Sequence, residues 1–459
     1  MKKLKFLLPI LLVLAVFTAC NEEENPLVIE LQTVADLVKD VPRLSSLSTA
    51  LERADLATVL QGSGPFTLLA PTNDAFATFL ANNNFGNLND VPVEALQKVL
   101  LNHVISGNLQ STDLSTGFAT TSATSDANGE PLAIYINTNN GVIFNGVSSV
   151  INANVQATNG TIHEVNTVIG IPTVVDLAVA AEATSILEAA VIEAGLANTL
   201  SGEGPFTVLA PTDDAFMQFL ANNNFTGLDD IPGPVLSKTL LNHVIGASLQ
   251  STDLSTGYAN TSATSAAGDN PMSIYIDTSN GVRFNGVSSV AAANINANNG
   301  VIHVVDGVIG IPSVVDFALA DPNFSTLVAA LTRSDLTTDF VSILSTSNGT
   351  APAPFTVFAP VNDAFGDLLD ELNLTDLSDI DEPTLNATLT FHVVGGANVL
   401  DTDLSDNLTV STLGGDITAN VTGGATLTDG NERVSGIIAT NVQADNGVIH
   451  AINKVILPN

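Results

Sequence analysis

The chain has 459 residues, of which 47 are acidic and only 12 are lysine or arginine, so its formal net charge at pH 7 is −35. This charge argues against binding to nucleic acid, whose phosphates require clusters of Lys and Arg, and against electrostatic docking to anionic lipid. A single cysteine excludes an intramolecular disulfide and a zinc site made of several thiolates. The length corresponds to two to four domains.

The first 19 residues have the form of an export signal. Three lysines among the first five residues precede an apolar run over 7–17, which is too short to span a bilayer, since a spanning helix needs about 20 apolar residues. The run ends in FTAC, whose cysteine, Cys20, is the only one in the chain. This ending resembles a bacterial lipobox, so we expect residues 1–19 to be a lipoprotein signal peptide and Cys20 to carry the lipid. Phe17 departs from the leucine usual in such boxes, and the alternative is an ordinary secretory signal with an incidental cysteine.

Residues 20–28 are predicted to form a short acidic tether, which contains three consecutive glutamates. The acidic run resembles the surface-export signal of lipoproteins in the Bacteroidota. We therefore predict an exported outer-membrane lipoprotein that is exposed on the cell surface. The alternatives are a secreted protein and, for the acidic run, a plain solvated linker.

The remainder of the chain contains one unit three times. Three blocks recur in the same order in each copy: FTLLAPTNDAF (66–76) at 206–216 and 355–365, LLNHVI (100–105) at 240–245 and 389–394, and NGTIHEVNTVI (159–169) at 299–309 and 446–456. Solenoid repeats have periods of about 20–50 residues, so a much longer period indicates domain duplication. We place the domains at 29–171, 172–311 and 312–459.

Helices precede strands within each copy. In the first copy, Thr33 and Thr72 have the position of helix N-caps, and residues 66–70 are predicted to form a short buried strand. The later residues alternate as strands do, with turns at 139–141 and at Asn159-Gly160. Helices first and strands last, without regular alternation, predict an α+β fold with an antiparallel sheet.

These three blocks resemble the two signature stretches and the intervening histidine motif of fasciclin-like domains, which occur in extracellular adhesion proteins. The resemblance covers residues 29–459. It implies three tandem domains, each a wedge-shaped antiparallel β-sandwich flanked by helices. It also implies a role in cell-surface or matrix adhesion rather than catalysis.

Two histidines and one aspartate recur in the blocks of each copy. They are His103, His163, His243, His303, His392, His450, Asp74, Asp214 and Asp363. A His–His–Asp set could bind a metal or act as a general base. The histidines fall on apolar faces, however, where an imidazole is normally a hydrogen-bonded core residue. The aspartates stand at a helix start, where a carboxylate caps free N–H groups. We interpret both as structural and predict no catalytic residue, no metal site and no cofactor.

An Asp-Ile pair just before the second signature has been implicated in integrin binding by vertebrate matrix members of the family. The matching positions, which are our candidate binding residues, are Asn154-Val155, Asn294-Ile295 and Asn441-Val442. Because asparagine replaces the acid in every copy, integrin recognition does not carry over.

Acidic clusters such as Asp229-Asp230 and 379–382 could bind Ca²⁺ through oxygen ligands. They lack the spaced ligands and the central glycine of a Ca²⁺ loop, so we interpret them as a solubilising surface. The insert at 345–354 is predicted to be a polar loop, where the third copy differs in binding.

The sequence therefore predicts a lipid-anchored, non-enzymatic surface protein that mediates adhesion or matrix attachment through an extracellular protein or glycan. We expect membrane contact through the lipid alone and no nucleic-acid partner. The alternative is a surface lipoprotein that captures polysaccharide, although aromatic residues are only 5% of the chain and tryptophan is absent. A third possibility is an enzyme that uses the His/Asp set.

Overall fold

The computed structural model describes residues 32–459 and divides them into three domains of one architecture. The regular elements span 34–165 in domain 1, 174–305 in domain 2 and 314–452 in domain 3. As described, each domain has five helices and seven strands, which confirms the predicted α+β class and the three tandem domains. The predicted signal peptide, the lipidation site and the acidic tether lie outside the described residues.

The elements follow the same order in each domain. Domain 1 contains α1 (Val34–Asp40), α2 (Ser45–Arg53), α3 (Ala57–Leu60), β1 (Phe66–Pro71), α4 (Asn73–Asn82), α5 (Val93–Leu101), β2 (Val104–Ser106), β3 (Gly117–Thr124), β4 (Pro131–Asn137), β5 (Ile143–Phe144), β6 (Ser148–Ala157) and β7 (Gly160–Val165). Domain 2 contains α6 (Val174–Ala180), α7 (Ser185–Glu193), α8 (Ala197–Leu200), β8 (Phe206–Pro211), α9 (Asp213–Asn222), α10 (Gly233–Leu241), β9 (Val244–Ile245), β10 (Gly257–Thr264), β11 (Pro271–Asp277), β12 (Arg283–Phe284), β13 (Ser288–Ala297) and β14 (Gly300–Val305). Domain 3 contains α11 (Val314–Ala320), α12 (Ser325–Leu331), α13 (Phe340–Leu344), β15 (Phe355–Pro360), α14 (Asn362–Leu372), α15 (Glu382–Phe391), β16 (Val393–Gly395), β17 (Leu408–Ser411), β18 (Asp416–Asn420), β19 (Thr426–Thr428), β20 (Val434–Ala444) and β21 (Gly447–Ile452).

One pair of strands in each domain is parallel. The strands pair in chain order from the third to the seventh, the seventh pairs with the first, and the first pairs with the second. The seventh and first strands run parallel, as β7 with β1, β14 with β8 and β21 with β15. In domain 1, β2 also pairs with β3 through Ile105 and Thr121, which closes the sheet into a barrel. The parallel pair joins the beginning of each domain to its end.

The first strand is apolar except for one buried threonine, because both of its faces are covered. In β1, Leu68 and Ala70 belong to the core beneath the helices, and Leu69 belongs to a second core enclosed by the strands. Helix residues such as Leu47 and Phe76 fill the first core. A strand buried on two faces has a continuous hydrophobic sequence rather than an alternating one.

An asparagine in the last hairpin of domain 1 connects three distant segments. Asn159 Oδ1 accepts from Val34 N (2.9 Å), at the start of α1, and Asn159 Nδ2 donates to Leu60 O (2.8 Å) and Gly62 O (2.6 Å), at the end of α3. The next residue, Gly160, must be glycine, since a Cβ there would lie 2.0 Å from Phe66 O of the parallel strand.

The same hydrogen bonds recur in the other two domains. Asn299 accepts from Val174 N and donates to Leu200 O, and Asn446 accepts from Val314 N and donates to Leu344 O. These three asparagines, the hub asparagines below, are each under a tenth exposed.

The two junctions between domains use matching contacts. Ser125 Oγ, in the turn after β3, donates to Ala297 O at the end of β13 (2.6 Å). Ser265 Oγ, in the turn after β10, likewise donates to Ala444 O at the end of β20 (2.7 Å). In domains 1 and 2, the turn between the third and fourth strands therefore packs onto the last hairpin of the next domain.

A lysine strengthens each junction. Lys98 in α5 pairs with Asp126 of its own domain (2.7 Å) and donates to Asn298 of domain 2. Lys238 has the same position in α10 and pairs directly with Asp445 of domain 3 (2.6 Å). The side chains of Lys238 and Asp445 are 25% and 24% exposed, so water screens this pair less than a fully exposed one.

Apolar contacts extend the hydrophobic cores across both junctions. Ala133 of β4 belongs to the core cluster of domain 2, and Tyr275 of β11 to that of domain 3. Tyr258 packs edge-on against Phe317 of α11, with ring centroids 5.8 Å apart, and its hydroxyl donates to Asp321 (3.0 Å). The three domains are thus held in a repeated, fixed relation.

Within residues 32–459, no single helix is long and apolar enough to cross a membrane. One pair of helical segments, Val314–Ala320 and Pro322–Leu331, meets that criterion only when the two are joined across a bend of 98°.

Replacing a hub asparagine should destabilise the domain that contains it. Asn159→Ala removes three hydrogen bonds and leaves the buried Val34 N–H without its acceptor, at a cost of about 3 kcal/mol in unfolding free energy. Hydrogen exchange read by mass spectrometry would localise the loss to domain 1, and Asn299→Ala should shift the loss to domain 2. Asn89→Ala, at an exposed site in domain 1, is the control, and equal effects of Asn159→Ala and Asn89→Ala would contradict this role.

Candidate functional site

The first histidine of each domain joins the end of a helix to the segment that follows the last strand. His103 Nδ1 lies 2.7 Å from Val99 O, and His103 Nε2 lies 2.9 Å from Ile169 N. Because a carbonyl oxygen can only accept and an amide N–H can only donate, the proton is on Nδ1 and the ring is neutral. The ring nitrogens of His103 therefore have no free position for a metal or a substrate.

His243 and His392 make the equivalent bonds in domains 2 and 3. His243 bridges Thr239 O and Ile309 N, and His392 bridges Thr388 O and Ile456 N. Burial lowers the pKa of His103, His243 and His392 to about 4, since an apolar interior disfavours the charged imidazolium.

The second histidine of each domain holds the loop that follows the second strand. His163 Nε2 donates to Leu109 O (3.0 Å), and His303 Nε2 donates to Leu249 O (2.9 Å). His450 Nε2 donates to Val399 O (2.8 Å) in domain 3. Burial lowers the pKa of all three imidazoles. These rings are therefore neutral loop anchors at physiological pH.

The candidate binding asparagines have a conformational role. Asn154, Asn294 and Asn441 have φ values of 64°, 62° and 60°, a left-handed conformation that asparagine tolerates better than most residues. Asn154 Oδ1 accepts from Ser111 N (2.7 Å) and Asn154 Nδ2 donates to Ser111 Oγ (2.9 Å). The three asparagines form a bulge in the sixth strand of their domains and hydrogen-bond that strand to the loop that the second histidine holds.

Domain 3 gives a physical reason for asparagine rather than aspartate at this position. Asn441 Nδ2 donates to the carboxylate of Asp401 (2.7 Å), and Asn441 Oδ1 accepts from Asp401 N (3.0 Å). An aspartate would place two carboxylates in contact and would lose the donor.

The apolar partners of these asparagines lie in the core. Ile295 and Val442 are 5% and 4% exposed, and Val155 is half-buried against the helix-side core of domain 1. The pairs identified in the sequence as candidate binding residues thus contribute packing and loop anchoring. Asn154 and Asn294 are themselves exposed, whereas Asn441 is half-buried.

The recurring aspartates differ from the predicted caps. Thr72 and Thr212 are the N-caps of α4 and α9, and their hydroxyls accept from Ala75 N and Ala215 N. Asp74, Asp214 and Asp363 stand at the second helical position and are exposed. They complement the positive end of the helix dipole without capping it.

The residue before each aspartate has a role that the sequence reasoning missed. Asn73 Oδ1 accepts from Ser46 N in α2 (2.9 Å), and Asp213 and Asn362 accept from Ile186 N and Thr326 N in the same way. The only feature of the sequence that points to this role is the recurrence of a short polar side chain, Asn or Asp, before each aspartate.

The histidines and aspartates do not form a common site. All six histidines are buried, whereas Asp74, Asp214 and Asp363 are exposed. Among residues 32–459, no group of three or more His, Cys, Asp or Glu side chains is placed to hold a metal ion.

Several acids in the candidate Ca²⁺ clusters bind backbone N–H groups instead. Asp230 accepts from Thr226 N (2.7 Å), Asp379 from Thr375 N (3.1 Å) and Asp381 from Thr384 N (3.1 Å). The pKa of each carboxyl is lowered, that of Asp230 chiefly by the hydroxyl of Thr226 and those of Asp379 and Asp381 chiefly by these backbone N–H groups. The carboxylates thus stabilise turns and helix starts.

Comparison with known proteins agrees with this architecture. The fasciclin domain model matches residues 42–172, 182–312 and 322–458, so the chain belongs to the fasciclin family and carries three of its domains in tandem. Human periostin is 28% identical over 87% of this chain and 44% of its own length. Pig transforming growth factor-beta-induced protein ig-h3 is 28% identical over 93% of this chain and 57% of its own length. The chain therefore spans about half the length of these relatives.

A shorter relative and a solved structure were also found. The Synechocystis protein sll1735 is 37% identical over 32% of this chain and 98% of its own length. The structure of a FAS1 domain pair from the insect cell adhesion molecule fasciclin I aligns with 60% of this chain and 98% of its own, with 18% identity and a TM-score of 0.38.

The buried histidines should make stability fall in mild acid. The unfolded chain takes up a proton at His103 near pH 6.5, whereas the folded chain does so only at about pH 4. Between these values each such histidine lowers the unfolding free energy by about 1.4 kcal/mol per pH unit as the pH falls, and above pH 6.5 it adds no pH dependence.

Hydrogen exchange of domain 1 at pH 7.5, 6 and 5 would measure this slope. His103→Gln should be less stable than the native protein at pH 7.5. Its unfolding free energy should fall less steeply on acidification, because the variant lacks the His103 imidazole while all other titrating groups are the same in both proteins. Equal slopes for the two proteins would disprove the assignment.

Proposed function

We propose that this protein is a non-enzymatic adhesion protein of a bacterial cell surface that attaches the cell to extracellular protein or glycan. Membership of the fasciclin family supports this proposal. The observation that carries it is the repeated junction, since Ser125 and Ser265 fix three similar domains in one relative orientation. Equivalent surfaces are then presented together, and several weak contacts made at once give strong attachment.

The acidic surface is consistent with this role. A chain with a formal net charge of −35 remains soluble and repels other acidic surfaces. Attachment to a partner is therefore expected to depend on local contacts rather than on long-range attraction.

We further propose that Cys20 anchors the protein to the outer membrane through lipid and that the tether at 20–28 holds the three domains outside the cell. The basic start, the short apolar run and the FTAC ending support this address.

Disturbing one junction should weaken adhesion without unfolding the domains. Lys238→Glu places a carboxylate opposite Asp445 and should loosen domain 3 from domain 2. Beads coated with this variant should adhere to an extracellular matrix preparation about tenfold less well than beads with the native chain, as expected for reduced multivalency.

The exchanged pair Lys238→Glu with Asp445→Lys is the matched control and should recover part of the adhesion, since it restores the ion pair but not the hydrogen bond from Ala266 N to Asp445 (2.9 Å). Circular dichroism should show all three proteins folded. If the native chain does not adhere, or if the single variant adheres equally well, the proposal fails.

Lipid attachment can be tested in a Gram-negative host. The native chain should incorporate labelled palmitate and fractionate with the outer membrane, whereas Cys20→Ser should incorporate none and leave the membrane fraction. Protease added to intact cells should digest the native protein if it faces outward. An unlabelled native chain would instead indicate an ordinary secretory signal.

A further inference from the structure

Domains 1 and 2 contain the same open cleft. In domain 1 the cleft has a volume of about 500 Å³ and lies between α4, α5 and the segment that follows β7. In domain 2 it has a volume of about 530 Å³ and lies between α9, α10 and the segment after β14. Both volumes fall within the range of small-molecule sites.

Two aromatic rings line each cleft. They are Phe79 and Phe85 in domain 1, and Phe219 and Phe225 in domain 2. All four rings are half-buried, whereas other phenylalanines such as Phe76 and Phe144 are fully buried. A partly exposed ring in a concave wall offers a flat apolar face for a ligand to stack on.

Amide side chains stand beside the rings. Asn82 and Asn83 line the cleft of domain 1, and Asn222 and Asn223 line that of domain 2. Asn83 Nδ2 donates to Phe79 O (2.8 Å), which holds the amide in place and leaves its oxygen as an acceptor. Asparagine provides both donors and acceptors, as vicinal hydroxyl groups require.

The clefts carry little charge in a strongly acidic protein. The lining of the domain 1 cleft contains no ionisable residue, and that of the domain 2 cleft contains only Asp306. The overall negative charge repels anions, and the lining offers no carboxylate cluster for a cation. A neutral ligand with one apolar face and several hydroxyls fits this chemistry.

Domain 3 has lost these features. Leu368 and Leu374 replace the two phenylalanines, and Glu371, the tenth residue of α14, replaces Asn82, the tenth residue of α4. Glu371 pairs with Arg433 (2.6 Å) and with Lys454 (2.7 Å). Ion pairs thus connect the walls that form the cleft in the other domains.

We propose that the clefts of domains 1 and 2 bind neutral oligosaccharides, with a pyranose ring stacked on phenylalanine and its hydroxyls bound by the paired asparagines. This inference rests on the proposed adhesion function and names the ligand class for it. The fixed junction holds the two sites together, so one polysaccharide chain can engage both and bind more tightly than to either alone.

The test uses the full chain and soluble neutral glucan, galactan, mannan and xylan oligosaccharides, with oligogalacturonate as the anionic comparison. Calorimetry should detect binding of at least one neutral oligosaccharide, with two sites per chain and none for the anion. The double variant N82E/N222E copies the residue of domain 3 at exposed positions and should weaken that binding by at least about tenfold, the loss expected when a polar contact is replaced by an unpaired charge.

The matched control is A81E/A221E, which adds the same charges one residue away on the same helices, at exposed positions outside the cleft lining. It should bind as the native chain does, and thermal melting should show both variants folded. Absence of binding to every neutral oligosaccharide, or equal loss in both variants, would overturn the inference. Bead adhesion, measured on the same preparations, distinguishes the two proposals. If the native chain adheres but binds no oligosaccharide, the adhesion function is retained and only the proposed glycan ligand is wrong.

Discussion

The structure depends on a single constraint, repeated three times: the last hairpin of each domain must be bonded to its first helices. In domain 1 Asn159 makes this connection through three hydrogen bonds, and Gly160 lets the parallel strand approach at the same point. Without it, the first three helices (residues 34–60) would be held to the sheet mainly by the Arg43–Glu164 ion pair and by apolar packing, which is less specific in direction than hydrogen bonds.

The hairpin that closes each domain also receives the preceding domain. In domain 2, Ala297 accepts the serine of the first junction and Asn299 is the hub asparagine two residues later. In domain 3, Ala444 accepts the serine of the second junction and Asn446 is the hub asparagine two residues later. Closure of a domain and docking of its neighbour therefore use one turn, so loosening of either is transmitted to the other.

Local sequence patterns predicted the local parts of this structure. The helix starts at Thr33 and Thr72, the turn at Asn159-Gly160 and the repetition of three domains follow from spacing and side-chain type. The parallel strand pair, the hub hydrogen bonds and the junctions connect residues that are more than ninety positions apart. Periodicity carries no information on such contacts. The helix aspartates are a local case, since Thr72 and Asp74 both stand at the helix start and only the geometry shows that the threonine makes the cap. The cleft could not be predicted from periodicity because its walls, α4 with α5 and the segment after β7, are distant in the chain.

The lysine of each junction distinguishes the first two domains from the third. Domains 1 and 2 carry it as Lys98 and Lys238, five residues before the first histidine, whereas Ala387 has this place in domain 3. The domain 3 hairpin that would face a successor is also rebuilt, with β17 and β18 joined by Thr412–Gly415. A gene duplication that inserts another copy ahead of domain 3 would inherit a working junction on both sides. A copy placed after domain 3 would have to dock without this lysine, so its junction would be of a different kind from the two described.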